Sequence, residues 1–210
     1  MNVGILGTGK LAAALGRAWA AAGHHLVLTG HDPERAAGAA ERIGPAATAV
    51  APADFAERAD VVVVAVSWER LTDAVRQVGP LAGKTVIDCT NAVDYATGRL
   101  KPPSGSAAQT VASAAPGAHV VKALHLFAGD SWPYRGPLTA APVVAICGDD
   151  PTAIASATAL ITDLGGRAAV VGTLDSARQL EEAAGFVMRV VAAGHNPRFA
   201  VPDVEPAPVA

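Results

Sequence analysis

Aromatic residues are scarce in this sequence, and charge is nearly balanced. Aromatics make up 4% of the 210 residues, whereas hydrophobic residues make up 51% and charged residues 17%. This composition is typical of globular rather than disordered chains. The 16 basic and 19 acidic residues give a formal net charge of −3, without the block of Lys or Arg that nucleic-acid binding requires. The sequence therefore predicts a globular protein with an aliphatic, alanine-rich core and no nucleic-acid partner.

Cysteines, long apolar runs and metal-binding patterns are equally rare. Cys89 and Cys147 lie in apolar, strand-like runs and are too few for a disulfide framework, which favours buried thiols in a reducing compartment. No apolar run reaches the roughly 18 residues of a membrane helix, and the N-terminus has no basic signal-peptide region. None of the six histidines pairs at i, i+4, so no metal site is expected. We predict a cytoplasmic protein without a membrane partner.

Short β-branched segments alternate with helical patterns through the first half of the chain. Strands are predicted at residues 3–6, 25–29, 47–50, 60–66 and 84–89. Helices are predicted at residues 10–22, 52–58 and 68–78, and a further helix is predicted to begin at residue 33. Strands that alternate with helices form parallel sheets through right-handed crossovers. The pattern therefore predicts an α/β fold with a Rossmann-type, doubly wound, mostly parallel sheet, whose first five strands lie in the order 3-2-1-4-5.

The second half of the chain is less regular. A loop is predicted at residues 92–106, helices at 107–115, 151–164 and 176–193, and strands at 119–124, 143–147 and 168–171. We predict one dinucleotide-binding domain over residues 1–195, with a core at about 1–150 and a small C-terminal portion at about 151–195 that ends in the long helix. Residues 196–210 contain four prolines, which predicts an irregular tail.

A glycine-rich segment follows the first predicted strand. The sequence GTGKLA at residues 7–12 matches the pattern G-x-G-x-x-G/A and opens a predicted helix, the context in which this motif binds a dinucleotide. Gly7 would make the tight turn, Gly9 would let a pyrophosphate approach the backbone, and Ala12 would allow close helix packing. A plain strand-to-helix turn is the alternative, and the context favours the dinucleotide loop.

The residues at the end of the second strand indicate whether the cofactor is NAD or NADP. An acid at this point binds the ribose diol of NAD, whereas basic groups accept the 2′-phosphate of NADP. Gly30 stands at the strand tip, and His31 and Arg35 follow it. Asp32 would repel a phosphate unless it caps the next helix, and a solvated Arg35 without a phosphate contact is an equal alternative. The sequence favours NADP, with NAD as the alternative.

Six segments occur in the order seen in the coenzyme F420-dependent NADP oxidoreductases, which the chain resembles over residues 1–195. The segments are GILGTGKLA, VVVVAVSWE, LAGKTVIDCTN, VVKALH, VAICGDD and GTLDSARQLE. The resemblance implies a dinucleotide fold with a small C-terminal portion, which is often dimeric, so a homodimer is expected. It also implies hydride exchange between the nicotinamide and an 8-hydroxy-5-deazaflavin, coenzyme F420.

The resemblance assigns residues to the cofactor as well. It implies pyrophosphate contacts from Thr8, Gly9, Lys10 and Leu11, beside the Gly7 of the motif, 2′-phosphate contacts from His31 and Arg35, cofactor contacts from Ser67 and Trp68, and nicotinamide contacts from Thr90 and Asn91. His125 would lie where the two rings meet. One departure is that Gly30-His31 stands where the family commonly has Ser-Arg.

Candidates for proton transfer are few. Transfer of a hydride between two bound rings needs alignment and exclusion of water rather than an acid, whereas a carbonyl or imine substrate needs a proton donor. His125 is the candidate catalytic residue, with a structural hydrogen-bonding role as an equal alternative. Lys122 is expected at the surface and Tyr134 in a loop cap, and Trp68 and Trp132 are expected in the core or a lid.

Three functions follow from these patterns. The leading hypothesis is an NADP(H)-dependent reductase of a deazaflavin. The alternative is an NAD(P)H-dependent reductase of a small carbonyl or imine metabolite, for which His125 would be the proton donor. The third is a dinucleotide-binding module without catalysis. The final helix is expected to be buried in the core, unless it covers the pocket or forms a dimer interface.

Overall fold

The computed structural model describes residues 1–126, 129–137 and 140–200, and eight strands form one sheet in this part of the chain. The strands are β1 (Asn2–Leu6), β2 (His25–Thr29), β3 (Ala47–Ala49), β4 (Val61–Val64), β5 (Thr85–Asp88), β6 (His119–Lys122), β7 (Val143–Gly148) and β8 (Arg167–Val170). The helices are α1 (Lys10–Ala21), α2 (Pro33–Ile43), α3 (Pro52–Arg58), α4 (Leu71–Gln77), α5 (Ala107–Ala114), α6 (Pro151–Asp163) and α7 (Ala177–Ala192). None of these helices is long and apolar enough to cross a bilayer.

The sheet order is β3-β2-β1-β4-β5-β6-β7-β8. Strands β1 to β6 pair in parallel, β7 runs antiparallel to β6, and β8 pairs parallel with β7. The predicted Rossmann-type fold and the order 3-2-1-4-5 are therefore confirmed. All four valines of β4 are buried, as expected of a central strand covered on both faces.

Helices cover the two faces of the sheet and enclose a separate core on each. Helices α1, α2 and α6 pack on one face around Trp19, and α3, α4, α5 and α7 pack on the other around Phe55. The indole N–H of Trp19 donates to the carbonyl of Leu160 at 2.9 Å. This bond ties α1, near the start of the chain, to α6 in its last third.

Some predicted elements differ at their ends. The predicted helix 68–78 begins with a 3-10 turn, Trp68–Arg70, before α4 starts. The last helix likewise follows a 3-10 turn, Leu174–Ser176. Of the predicted tail, residues 197–199 form a short 3-10 turn, and residues 201–210 lie outside the described residues.

Candidate functional site

The bend between β1 and α1 is built from two glycines with different roles. Gly7 has a φ of +139°, and a Cβ placed there would lie 2.3 Å from the carbonyl oxygen of Ala65, so only glycine fits. Gly9 precedes α1 with a φ of −80° and no side-chain cap, and a Cβ there would meet nothing within 4 Å. The first amides of α1 thus have no side-chain cap and lie next to open space at Gly9, the arrangement in which a helix N-terminus binds a phosphate.

A cavity of about 380 Å³ extends from this bend over the end of β2. Its lining includes Gly7, Thr8, Gly9, Gly30, His31, Arg35, Pro52, Ser67, Arg70 and Asp73. Asp32 caps α2, because its Oδ1 accepts the backbone N–H groups of Glu34 at 3.0 Å and Arg35 at 3.1 Å. This carboxylate is thus held by the helix, and His31 and Arg35 are exposed beside it; their contact with a ribose phosphate stays a prediction.

A second cavity, of about 580 Å³, lies over the ends of β4, β5 and β6. Its lining includes Lys10, Leu11, Ser67, Trp68, Cys89, Thr90, Asn91, Leu124, His125, Leu126, Ala184, Val187 and Met188. Gly9, Ala65, Val66 and Ser67 line both cavities, which makes them one continuous cleft. Every residue predicted from the sequence to bind the cofactor, and His125, lines this cleft; their roles in binding and catalysis stay predictions.

A third cavity, of about 850 Å³, adjoins the bend on the side of α1 and α2. Its lining includes four cations, Lys10, Arg17, Arg35 and Arg42, and one carboxylate, Asp130. None of the four cations forms an ion pair with any other residue that the structure describes. Sequence reasoning missed Arg17 and Arg42. Their spacing of seven residues from Lys10 and Arg35, which puts each pair on one helix face, was the available signal.

His125 lies just beyond the end of β6 and is 5% exposed. Leu124 before it has a φ of +58°, a left-handed conformation that is uncommon for such a residue. The side-chain amide of Asn91 donates to the carbonyl of His125 at 2.6 Å. Burial, aided by the nearby Lys122 ammonium and opposed by the Leu180 backbone, lowers the pKa of His125 to about 3. The imidazole is therefore neutral at neutral pH and can donate a hydrogen bond to a bound ring or carbonyl.

The prediction that Lys122 is a surface residue is wrong, because its side chain is fully buried. Its ammonium contacts Asp88 Oδ2 at 2.9 Å and Glu181 Oε1 at 2.9 Å, and it also donates to the carbonyl of Thr90. The alternating pattern of β6 suggested an exposed face. Helices cover both sides of the sheet at that point, so every side chain of β6 after His119 is buried.

The other predicted side chains have simpler surroundings. Trp132 is buried, and the hydroxyl of Tyr134 donates to the carbonyl of Pro137 at 3.3 Å, as predicted for a loop cap. Cys89 and Cys147 are buried free thiols, as predicted; burial raises the pKa of Cys147 to about 11 and that of Cys89 further. Within the described ranges no group of three or more His, Cys, Asp or Glu could hold a metal.

Only the first half of the last helix, α7, packs in the core. Its first half packs on the sheet through Ala177, Leu180 and Ala184, whereas Val187 and Met188 in its second half line the wide end of the cleft. The expectation of a wholly buried helix is therefore wrong. Instead α7 covers the pocket, one of the alternatives that the sequence left open.

The glycine bend, the open helix N-terminus and the cleft over the carboxyl ends of the parallel strands define a dinucleotide-binding protein of the Rossmann class. Residues 2–92 match the family model described as NADP oxidoreductase, coenzyme F420-dependent. This match covers less than half of the chain and includes the first three of the six ordered segments, so over this part the predicted resemblance to these NAD(P)-dependent oxidoreductases is confirmed.

Several known proteins resemble this chain in sequence or in structure. A crystal structure from Arthrobacter sp. FB24, assigned as an F420-dependent NADP-reductase, superposes with a TM-score of 0.82 at 26% identity and covers 92% of this chain and 95% of its own. Rat metalloreductase STEAP3 is 30% identical over 185 residues, 86% of this chain and 36% of its own, so the chain spans about a third of that curated relative. A reductive aminase from Aspergillus terreus, in complex with NADPH and ethyl-5-oxohexanoate, shares 19% identity with a TM-score of 0.69, covering 92% of this chain and 63% of its own. This last likeness shows the fold alone.

Proposed function

We propose that the protein transfers a hydride between NADP(H) and a deazaflavin of the coenzyme F420 type. The observation that carries this proposal is the wide end of the cleft, a cavity of about 580 Å³ that joins the glycine bend. Its walls are largely apolar, from Leu124, Leu126, Val187 and Met188, with Trp68 at one side. Such a site can align two flat rings and exclude water, which is what hydride transfer between rings requires.

The charge around the adenosine end supports NADP over NAD. No acidic side chain stands at the tip of β2, where Gly30 is, and Asp32 is held as a helix cap. Arg35 lines both the cavity of about 380 Å³ and that of about 850 Å³, and Arg42 lies on the same helix face. A 2′-phosphate in this position would meet unpaired cations, each able to form a charge-assisted hydrogen bond.

The residues of the cleft have distinct tasks in this reaction. The first amides of α1 bind the pyrophosphate. Thr90 and Asn91 border the nicotinamide, where side-chain hydroxyl and amide groups can orient the carboxamide. NADPH, when bound, supplies the hydride. Because the imidazole of His125 is neutral, it can hold the acceptor through a hydrogen bond without adding a positive charge beside the ring that receives the hydride.

A spectroscopic assay tests the proposal directly. Mixing NADPH and an oxidised 8-hydroxy-5-deazaflavin with micromolar protein should bleach the visible absorption of the deazaflavin, and NADH should do so less well. Absence of bleaching with either nucleotide would reject the deazaflavin as the acceptor.

The preference for NADPH is tested with Arg35→Ala. This variant should raise the Kd for NADPH by about 10-fold, the effect of one lost hydrogen bond to a charged group, and leave the Kd for NADH unchanged. Arg58→Ala is the matched control, since Arg58 lies at the opposite ends of the strands, beside Asn2 and His25, which begin β1 and β2. Equal losses for both nucleotides would contradict a 2′-phosphate contact.

A reductase of a small carbonyl or imine is the second candidate, and the position of His125 favours it. This side chain is the histidine of the cleft's wide end and could hydrogen-bond a carbonyl oxygen as it gains charge. In that case His125→Ala should reduce turnover of such a substrate about 100-fold, with little change in the Kd for NADPH. Equal losses of turnover and nucleotide affinity would count against this role.

A further inference from the structure

Beneath the wide end of the cleft lies a buried charge cluster, formed by Lys122, Asp88 and Glu181. The side chains of all three are fully buried. Although burial by itself would lower the pKa of Lys122, the two carboxylates raise it above its usual value, so the ammonium keeps its charge. Burying three charges costs free energy that well-packed apolar side chains would not. The cluster is therefore poorly explained as a device for stability alone.

One side of the cluster holds the floor of the cavity. Asp88 Oδ1 accepts the backbone N–H of Thr90 at 2.9 Å, and Lys122 donates to the carbonyl of the same residue. Both backbone polar groups of Thr90 are therefore hydrogen-bonded to side chains of the cluster. Thr90 and its neighbour Asn91 line the cavity at the position predicted for the nicotinamide.

The other side of the cluster holds the helix that covers the cavity. Glu181 lies on α7, and Ala184, Val187 and Met188 further along that helix line the same cavity. Its carboxylate also accepts the backbone N–H of Ala107 at 2.9 Å, which ties α7 to the start of α5. Lys122 therefore donates a hydrogen bond to Thr90 in the floor of the cavity and also pairs with Glu181 on the helix that covers it.

We propose that Lys122 is a positioning residue for hydride transfer, which sets the spacing between the Thr90 floor and helix α7 and so holds the nicotinamide in its reactive position. This inference rests on the proposed function, since it concerns the same cleft. The adenosine end lies over β1 and β2 on the far side of the bend and shares no residue with the cluster. Loss of the cluster should therefore affect the nicotinamide end and leave the adenosine end intact.

The test uses the full chain with Lys122→Met and Glu181→Gln combined, because this pair removes one charge of each sign and leaves no unpaired ammonium. Arg178→Met is the matched control: Arg178 is also on α7 and binds Glu182 at 3.0 Å and the carbonyl of Gly105 at 2.9 Å, outside the cavity. Three quantities are measured for each protein: the Kd for 2′,5′-ADP, the fluorescence of the nicotinamide in bound NADPH, and kcat for deazaflavin reduction.

We expect the double variant to bind 2′,5′-ADP within about 2-fold of the unmodified protein, which is about 0.4 kcal/mol. Its kcat should fall by about 10- to 100-fold, as small displacements of a reacting ring do. The emission of bound NADPH should move toward that of free NADPH. The Arg178→Met control should keep both kcat and the emission.

Two outcomes overturn the inference. Unchanged kcat and emission, with only a lower melting temperature, would show that the cluster is purely structural. A parallel loss of 2′,5′-ADP binding would show that the whole cleft has collapsed; if the double variant does not fold, Glu181→Gln alone decides by the same readouts. If the unmodified protein binds NADPH but reduces no deazaflavin, the proposed function fails, and the emission still decides the role of Lys122.

Discussion

At the residue scale, the two glycines of the β1–α1 bend have different roles, Gly7 in folding and Gly9 in ligand binding. Gly7 is required by the backbone, since its φ is positive and the Ala65 carbonyl leaves no room for a Cβ. Gly9 has an ordinary φ of −80° and open space where a Cβ would stand. The absence of a side chain at Gly9 therefore matters only when a ligand fills that space.

Substituting each glycine by alanine should give opposite results. Gly7→Ala should lower the free energy of unfolding by about 2 kcal/mol or more, because strain and a clash add. Gly9→Ala should leave the melting temperature almost unchanged but weaken NADPH binding at least about 10-fold, because its Cβ meets the pyrophosphate. Thermal unfolding and NADPH titration of both variants check this. A stable Gly9→Ala protein with full affinity would place the pyrophosphate elsewhere.

His125 makes stability depend on pH. Its pKa is about 3 in the folded protein against an ordinary 6.5, so between these values the unfolded chain binds more protons. Its contribution to stability is therefore complete above pH 6.5 and is lost as the pH falls toward 3. Between pH 7 and pH 5 the loss should be about 2 kcal/mol.

Urea unfolding at pH 7 and pH 5 checks this expectation when the protein is compared with His125→Gln, which cannot titrate. The variant should lose about 2 kcal/mol less than the parent over this interval. Equal losses in the two proteins would show that His125 is not held neutral by the fold.

Sequence reasoning found the residues of the cleft but not those beneath it. The family resemblance pointed to Thr90 and His125. Both follow strand ends, which in a parallel sheet lie beside the binding crevice. The ion pairs of Lys122 with Asp88 and Glu181 have no local sequence pattern, because the three residues are far apart in the chain. A lysine in an alternating pattern predicts an exposed side chain, and only the packing of α7 and α5 reverses that prediction.

At the scale of elements, the helix and strand positions followed closely from local chemistry. Asp32 and Pro33 give a capped start to α2, and the continuous valines of β4 give a buried central strand. The reversed direction of β7 could not be predicted, since its run of apolar residues fits either direction. The 3-10 turn at Trp68–Arg70 likewise has no distinct sequence pattern.

Two helical glycines should respond differently to alanine. A Cβ at Gly38 in α2 would contact only the end of the Arg42 side chain, at 3.5 Å, whereas a Cβ at Gly185 in α7 would lie 2.1 Å from the carbonyl oxygen of Gly98. Gly38→Ala should stabilise the protein by about 0.5–1 kcal/mol through helix propensity. Gly185→Ala should destabilise it by about 1–3 kcal/mol, because α7 must move off the loop.

Chemical denaturation of the two variants beside the parent measures both effects. A stabilised Gly185→Ala protein would mean that α7 does not lie against residue 98 as described.

At the scale of the whole molecule, the eight strands form one sheet, and contacts between segments that are distant in the sequence connect its elements. The Trp19–Leu160 bond joins α1 to α6, and Lys122 joins β6 to α7. The division into a core at about 1–150 and a C-terminal portion at about 151–195 stays a prediction about sequence organisation. These links favour a single cooperative unit across that boundary.

Unfolding should therefore be a single transition. Tryptophan fluorescence, to which the fully buried Trp19 contributes, and far-UV circular dichroism should give coincident curves in urea. Native-state hydrogen exchange should show comparable protection for β4 and for the first half of α7. An earlier transition confined to α6, β8 and α7 would show that the C-terminal portion unfolds independently.

The wide cavity is lined by two stretches of chain, one inside the segment that matches the family model and one beyond it. The family match ends at residue 92 and includes the glycine bend, whereas Leu126, Val187 and Met188, which wall the same cavity, come later. Under the proposed function, we expect these later side chains to select the hydride acceptor. Exchanging a few apolar residues along one turn of the last helix could redirect this scaffold to another acceptor while its nucleotide preference stays as it is.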